Sequence, residues 1–452
     1  RIDVRDSVHI HGSVQVKGNM HINAPTRIDI EDILRAQKLS LARGSSDAAT
    51  KISIGNDSAD ATVTGRKKLH IQTDGVLSLT KGSKLLTRNN ASQLDIQAHS
   101  LQLAGSVYAG VEKMDKDTVQ EWYSGAIARL KATDGKLGLG TESGEDAGGH
   151  VAASGKLVLR AVQDGIEISQ GSSVRTSQQG YLKLRAQKAI SIDGLVQSQF
   201  KHRNSQESLA AKSVGQDERG VVDIKSNQGK ATVQGGLVQA WKGLSLQARS
   251  IDVLEEGTLN AKQDKDSRVE LNATQGDIVI NGYLGQVVEM QNTRGHTSET
   301  DRIDINSPKG DVLVKKHSQV DAAEKIKVQG GGIKVSAPDG RIRAWQEGSE
   351  QRLFARDKVI VKGTGEDNTG EVRAKGLMYL QAPDLDLQGM VKNNSASDDS
   401  RVLLNAGKKL FISGNVVSLQ DMDIHAGVGL DWKTDRLTGN LDSAELSEGD
   451  VK

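Results

Sequence analysis

Apolar and polar residues alternate in short bursts along most of this chain. Leu157-Val158-Leu159-Arg160-Ala161 is followed by Ile166-Glu167-Ile168 and then Val174. The phrase restarts at Leu182-Lys183-Leu184-Arg185-Ala186, with Ile190-Ser191-Ile192 behind it. Leu157 and Leu182 are 182 − 157 = 25 positions apart. Alternation sends every second side chain to one face of a strand. Each repeat therefore holds three short strands, none long enough to hide its own apolar face. Stacking on neighbouring copies buries all three, which predicts an all-β fold: a single-chain parallel β-helix, or β-solenoid.

The phrase recurs with drift. Val222-Asp223-Ile224, Leu244-Ser245-Leu246, Val269-Glu270-Leu271, Ile303-Asp304-Ile305 and Ile326-Lys327-Val328 start successive repeats, at spacings of 22, 25, 34 and 23 residues. Near the end come Leu385-Asp386-Leu387, Leu410-Phe411-Ile412 and Met422-Asp423-Ile424. Periods in this range mark solenoids, and unequal spacing places insertions at corners rather than in strands. The whole chain accommodates about 16 coils of three short strands.

Three stretches interrupt the pattern and predict insertions near 111–127, 199–220 and 289–302. In the first, mixed spacing of Val111, Met114, Val119 and Trp122, with Asp117 as an N-cap, predicts a short helix or ordered loop leaving the coil. Otherwise residues 1–430 read as one continuous solenoid, with no linker or composition shift to divide them. Residues 431–452 lose the alternation, turn acidic and predict an irregular tail. Alternation already runs at Val8-His9-Ile10 with no initiator Met, which predicts a processed product or a section of something longer.

Composition fits a narrow aliphatic column: aromatics are 3%, glycine is abundant (49) and proline scarce (4). Rings do not fit such a core, glycine suits tight corners, and proline would interrupt backbone ladders. Basic and acidic residues number 59 and 58, and the net charge of +1 argues against a broad electrostatic hold on nucleic acid or anionic membrane. No apolar run is long enough to span a bilayer. Cysteine is absent, which removes disulfides and thiol chemistry.

Candidate chemistry is sparse. The stretches 140–149 (GTESGEDAGG) and 363–370 (GTGEDNTG) hold glycine and acids, but calcium-binding repeats require such a phrase in tandem. They read as solvated corners, so no cofactor is implied, with calcium at these corners as the alternative. His9, His11 and His21 lie close together, with His9 and His11 on one strand face, yet spacing supplies no acidic partner for a zinc site. Asp252, Asp304 and Asp386 each sit between apolar strand residues and should point outward. A glycan-cleaving β-helix needs carboxylates converging across coils, and no spacing ties these three together. Trp241 and Trp345 each follow a third strand, where a ring stacks on a sugar, covers a corner or meets another chain. With the insertion residues Trp122, Tyr123, His202, Arg203, Arg294 and His296, they make up the candidate contacts for a partner or glycan.

The repeated phrase LxLxA … IxIxG … VxA, with Ala or Gly closing each strand and no cysteine, resembles the filamentous haemagglutinin family of secreted β-solenoids. It covers roughly Ile2 to Ala426. The resemblance implies a structural and adhesive rod of a bacterial surface or extracellular fibre, exported by two-partner secretion. It further implies partners among other copies or further coils, end to end or lateral, and a surface glycan or protein. The alternative is a glycan-acting β-helix enzyme, a polysaccharide lyase or hydrolase.

Overall fold

The computed structural model describes residues 1–42, 51–56, 58–115, 118–140, 148–177, 179–200, 220–262, 266–285, 287–289, 296–298, 300–363, 369–395, 397–398, 400–427, 429–432 and 437–446. Among these residues there is no helix. The described residues fall into two compact units, Arg1–Lys230 with Gly235–Trp241, and Ala231–Gln234 with Lys242–Lys452. Each unit is a parallel β-solenoid wound from one chain, with three strands to a coil.

In the first unit the opening phrase appears as stacked rungs. On the first face Lys156–Ala161 pairs in parallel with Tyr181–Ala186, Leu157 opposite Leu182 and Leu159 opposite Leu184. Ile127–Ala132 lies on one side of this pair and Val221–Ser226 on the other. The second face stacks Leu137–Leu139, Ile166–Ile168 and Ile190–Ile192. The third stacks His150–Ala153, Ser173–Ser177 and Leu195–Phe200. The second unit repeats the scheme from Gly243–Ala248 through Arg268–Ala273 and Arg302–Asn306. There the strands lengthen: Lys325–Val335, Ser349–Val361 and Gly376–Leu387 turn from the first face to the second, slipping register between Gly330 and Gly332 and between Phe354 and Lys358.

Inward slots form columns of aliphatic side chains. Leu159, Leu184 and Ile224 stack over one another, each at 0% exposure. Burying such a side chain contributes about 1.5–3 kcal/mol, realised only when a coil lies on either side. Corners explain the small residues. A Cβ on Gly236 would lie 2.7 Å from the Gly194 carbonyl oxygen, and one on Gly194 would lie 2.5 Å from that of Ser172. Successive backbones approach too closely there for any side chain. Buried serines serve other corners: Ser83, Ser154 and Ser172 accept from the amides of Ala61, Ala126 and Gly149 at 3.0, 3.1 and 3.1 Å.

Two expectations change. Of the short helix or ordered loop expected within 111–127, the helix gives way to an antiparallel hairpin, Val111–Asp115 against Thr118–Trp122. Register shifts beside Lys113 break its two-residue period, so its alternation is hidden in the sequence. At the other end, where an irregular tail was expected, strands Gly429–Trp432 and Leu437–Leu446 continue the parallel ladders of the second unit.

Candidate functional site

The excursions share a topological position. The hairpin over 111–122 lies between third-face strand Ser106–Ala109 and first-face strand Ile127–Ala132. Residues 201–219, outside the described residues, fall between Leu195–Phe200 and Val221–Ser226, again third face to first. In the second unit, the hairpin of Val287–Glu289 and His296–Ser298 lies between Tyr283–Leu284 and Arg302–Asn306. In each unit the described hairpin thus leaves the coil at the third-to-first connection, and the strands flanking it keep register with their neighbours.

The candidate contacts fare differently. Trp122 packs edge-on against Tyr108, with ring centroids 5.9 Å apart, which seats the hairpin on the third face. Tyr123 is half-buried, and its amide donates to the Gly110 carbonyl at 2.7 Å, closing the hairpin root. Trp241 is half-buried, and its amide donates to Ser198 Oγ at 3.4 Å. His202, Arg203 and Arg294 lie outside the described residues, as does the side chain of His296.

Trp345 offers no outward ring. It is 8% exposed, donates Nε1–H to Asp321 Oδ1 at 3.1 Å, and stacks beneath the guanidinium of Arg343, 4.7 Å from the ring centroid. Arg373 also lies over the ring, at 5.4 Å. The indole therefore closes a buried polar cluster at a corner. Burial pushes the Asp321 carboxyl above the usual aspartate range, against the opposing hydrogen bonds and charge of Arg343.

The histidine pair gains partners that spacing did not show. His9 Nδ1 lies 2.8 Å from Asp29 and His11 Nδ1 2.5 Å from Glu31, both one coil away, and the two imidazoles stack. Among the described residues no group of three or more His, Asp or Glu side chains is placed to hold a metal ion. The stretches 141–147 and 364–368, cores of the two glycine-and-acid corners, lie outside the described residues.

The three aspartates lie apart. Asp304 is on the first face, accepting from Arg268 Nε at 2.9 Å. Asp252 and Asp386 share one second-face column, separated by Val279, Leu313, Lys334 and Ile360. Asp386 holds an outward slot between Leu385 and Leu387 but is only 9% exposed, because Lys358 at 3.0 Å and Gln388 at 2.8 Å cover it.

Sequence reasoning missed a row of outward amides in the second unit. Asn272, Asn306, Gln329, Phe354, Gln381 and Asn405 stand in one register column. The part from Asn306 to Asn405 borders a groove of about 680 Å³ whose lining includes the cations Arg356 and Lys408 and no carboxylate. Phe354 meets Tyr379 edge-on at 5.3 Å, and the Tyr379 hydroxyl donates to Gln381 Oε1 at 2.9 Å. Amides offering both donors and acceptors beside a ring edge suit binding of a polar chain. The signal was present in Leu353-Phe354-Ala355, where alternation sends the ring opposite to Leu353. Tyr283, 41% exposed near the root of the second hairpin, is another outward aromatic that the reading passed over.

No family model, curated protein or solved structure matches the chain. The class therefore rests on the fold itself, a parallel β-solenoid. No helix among the described residues is long and apolar enough to cross a membrane.

Proposed function

We propose that this chain is a non-catalytic structural and adhesive segment of a bacterial cell-surface or secreted fibre of filamentous-haemagglutinin type. The solenoid supplies stiffness, and the excursions and outward faces engage partners, which are other copies of the fibre or surface glycans and proteins. The observation that carries this reading is the shared position of the two described hairpins: each leaves its unit between a third-face and a first-face strand, and the ladders beside it stay in register. A scaffold that displays loops requires this separation of stable coil from variable edge. The repeat phrase closing on Ala or Gly, and the corner packing that demands small residues, support the family resemblance.

The test is removal of the described hairpin. A variant with 112–121 replaced by Gly-Gly should keep its far-UV circular dichroism and melt within a few degrees of the parent. Its retention on bacterial and epithelial cell surfaces, measured with labelled protein, should fall. Unfolding of the variant, or absence of surface retention by the parent chain, would overturn the proposal.

A further inference from the structure

Near-neutral overall charge conceals a segregated face. In the first unit, the first-face strands IARLKA (Ile127–Ala132), KLVLRA (Lys156–Ala161), YLKLRA (Tyr181–Ala186) and VVDIKS (Val221–Ser226) hold seven cations, with Asp223 as their one carboxylate. Parallel register sets four of the cations in a single row: Lys131 opposite Arg160, Arg160 opposite Arg185, Arg185 opposite Lys225. Neighbouring rungs are about 4.8 Å apart, and like charges directly opposite one another destabilise a sheet.

Little inside the fold compensates the row. Arg185 pairs with Asp223, and Arg129, beside the row, pairs with Asp95 at 3.1 Å. Among the described residues no carboxylate lies in an ion pair with Lys131, Arg160 or Lys225. Arg160 is exposed, and Lys131 and Lys225 are partly so. Two more cations flank the row, Lys156 and Lys183, 4.9 and 5.9 Å from the Tyr181 ring centroid. One position earlier along the same column stands Gln97, opposite Lys131, so an amide is tolerated in this slot.

From this register we infer that the first face of the first unit binds an extended acidic polysaccharide, bearing carboxylate or sulfate groups, laid across the strands. A chain in that direction meets Lys131 and Arg160 on adjacent coils and Lys225 two coils further on, past the internally paired Arg185, and the Arg160 fork matches the geometry of either anion. Single-stranded nucleic acid needs exposed rings for its bases to stack on, whereas Tyr181 is 5% exposed and donates its hydroxyl to Asp223 at 2.8 Å. A membrane surface calls for protruding apolar side chains beside the charge, and the outward Ile127, Val158 and Val221 are half-buried. This ligand class rests on the adhesive reading for its biological setting only; the face and its chemistry stand without it.

The test measures binding of the full chain to polygalacturonate, heparin, dextran, oligo-dT and phosphatidylglycerol vesicles by biolayer interferometry, from low to physiological salt. Binding to polygalacturonate or heparin but not dextran is expected, and the tighter of the two assigns the anionic group. Lys131→Gln/Arg160→Gln/Lys225→Gln should fold as the parent does by circular dichroism, lose at least ten-fold in affinity and show a shallower salt dependence. Lys334→Gln/Lys392→Gln, two cations of the second unit, should bind as the parent does. Failure to bind either acidic polysaccharide, unchanged affinity in the triple variant, or stronger binding to oligo-dT or vesicles would overturn the inference. None of these outcomes decides the hairpin test, so the two proposals fail separately.

Discussion

Arg343 Nε lies 2.9 Å from Asp321 Oδ1 across adjacent coils, and the two residues are only 7% and 1% exposed. Trp345 shares the same carboxylate oxygen, and Gln319 Oε1 accepts from Arg343 at 3.0 Å, so the ion pair is enclosed by further hydrogen bonds. Removing one member of such a pair strands the other charge in a dry corner, a loss of about 3–5 kcal/mol. Asp321→Ala should therefore lower the urea midpoint strongly. Asp321→Ala/Arg343→Ala should cost less than the sum of the two single changes, because no lone charge remains; additive costs would contradict the pairing.

Burial raises the carboxyl pKa of Asp321, and also that of Asp301, which accepts from the Ser267 amide and hydroxyl at 2.8 and 3.1 Å. An acid with a raised native pKa binds its proton more tightly folded than unfolded. Its stabilising contribution is complete below the unfolded aspartate value of about 3.9 and is lost as pH rises through the native value. Wild type should thus gain stability relative to Asp301→Asn as pH falls from 7 toward 4. Urea midpoints at matched pH check this, and a difference that stays constant or moves the other way would refute it.

Gly110 sits at the root of the first hairpin with φ of 85°. An added Cβ would lie 2.6 Å from the Ala126 Cβ and 2.8 Å from Ser154 Oγ. The left-handed backbone alone costs an alanine about 1–2 kcal/mol, and the contacts add to it. Gly110→Ala should lower the melting temperature measurably. Gly18→Ala, with open space at the Cβ and no left-handed φ, should barely change it.

Leu184 occupies the middle of an inward column between Leu159 and Ile224. Leu184→Ala should cost about 2–5 kcal/mol, since stacked coils cannot collapse into the space. Val158→Ala, outward on the same face, should cost far less. Near-equal losses would mean that the inward and outward slots are misassigned.

Much of the architecture was legible in the chain. The 25-residue echo of Leu157 at Leu182 is a true register pair, because a solenoid converts sequence period directly into vertical neighbours. Inward and outward slots followed from alternation, as at Leu353 and Phe354. Small residues at corners followed from phrases closing on Ala or Gly. The hairpin at 111–122 escaped because bulge-like shifts disguise a two-residue period as irregular spacing. The strand Leu437–Leu446 escaped because register shifts against Asn415–Ala426 break its two-residue period.

What the chain determined by itself is the coil: period, strand faces and the narrowness of the core are all local consequences of alternation and side-chain size. What only tertiary structure decided is which distant side chains share a column. The closure of Trp345 over Asp321, the acid partners of His9 and His11, the amide row beside Phe354 and the cation row from Lys131 to Lys225 all join residues 20 to 40 positions apart. Insertion lengths set those separations, and a net charge of +1 sums over them without recording where each charge stands.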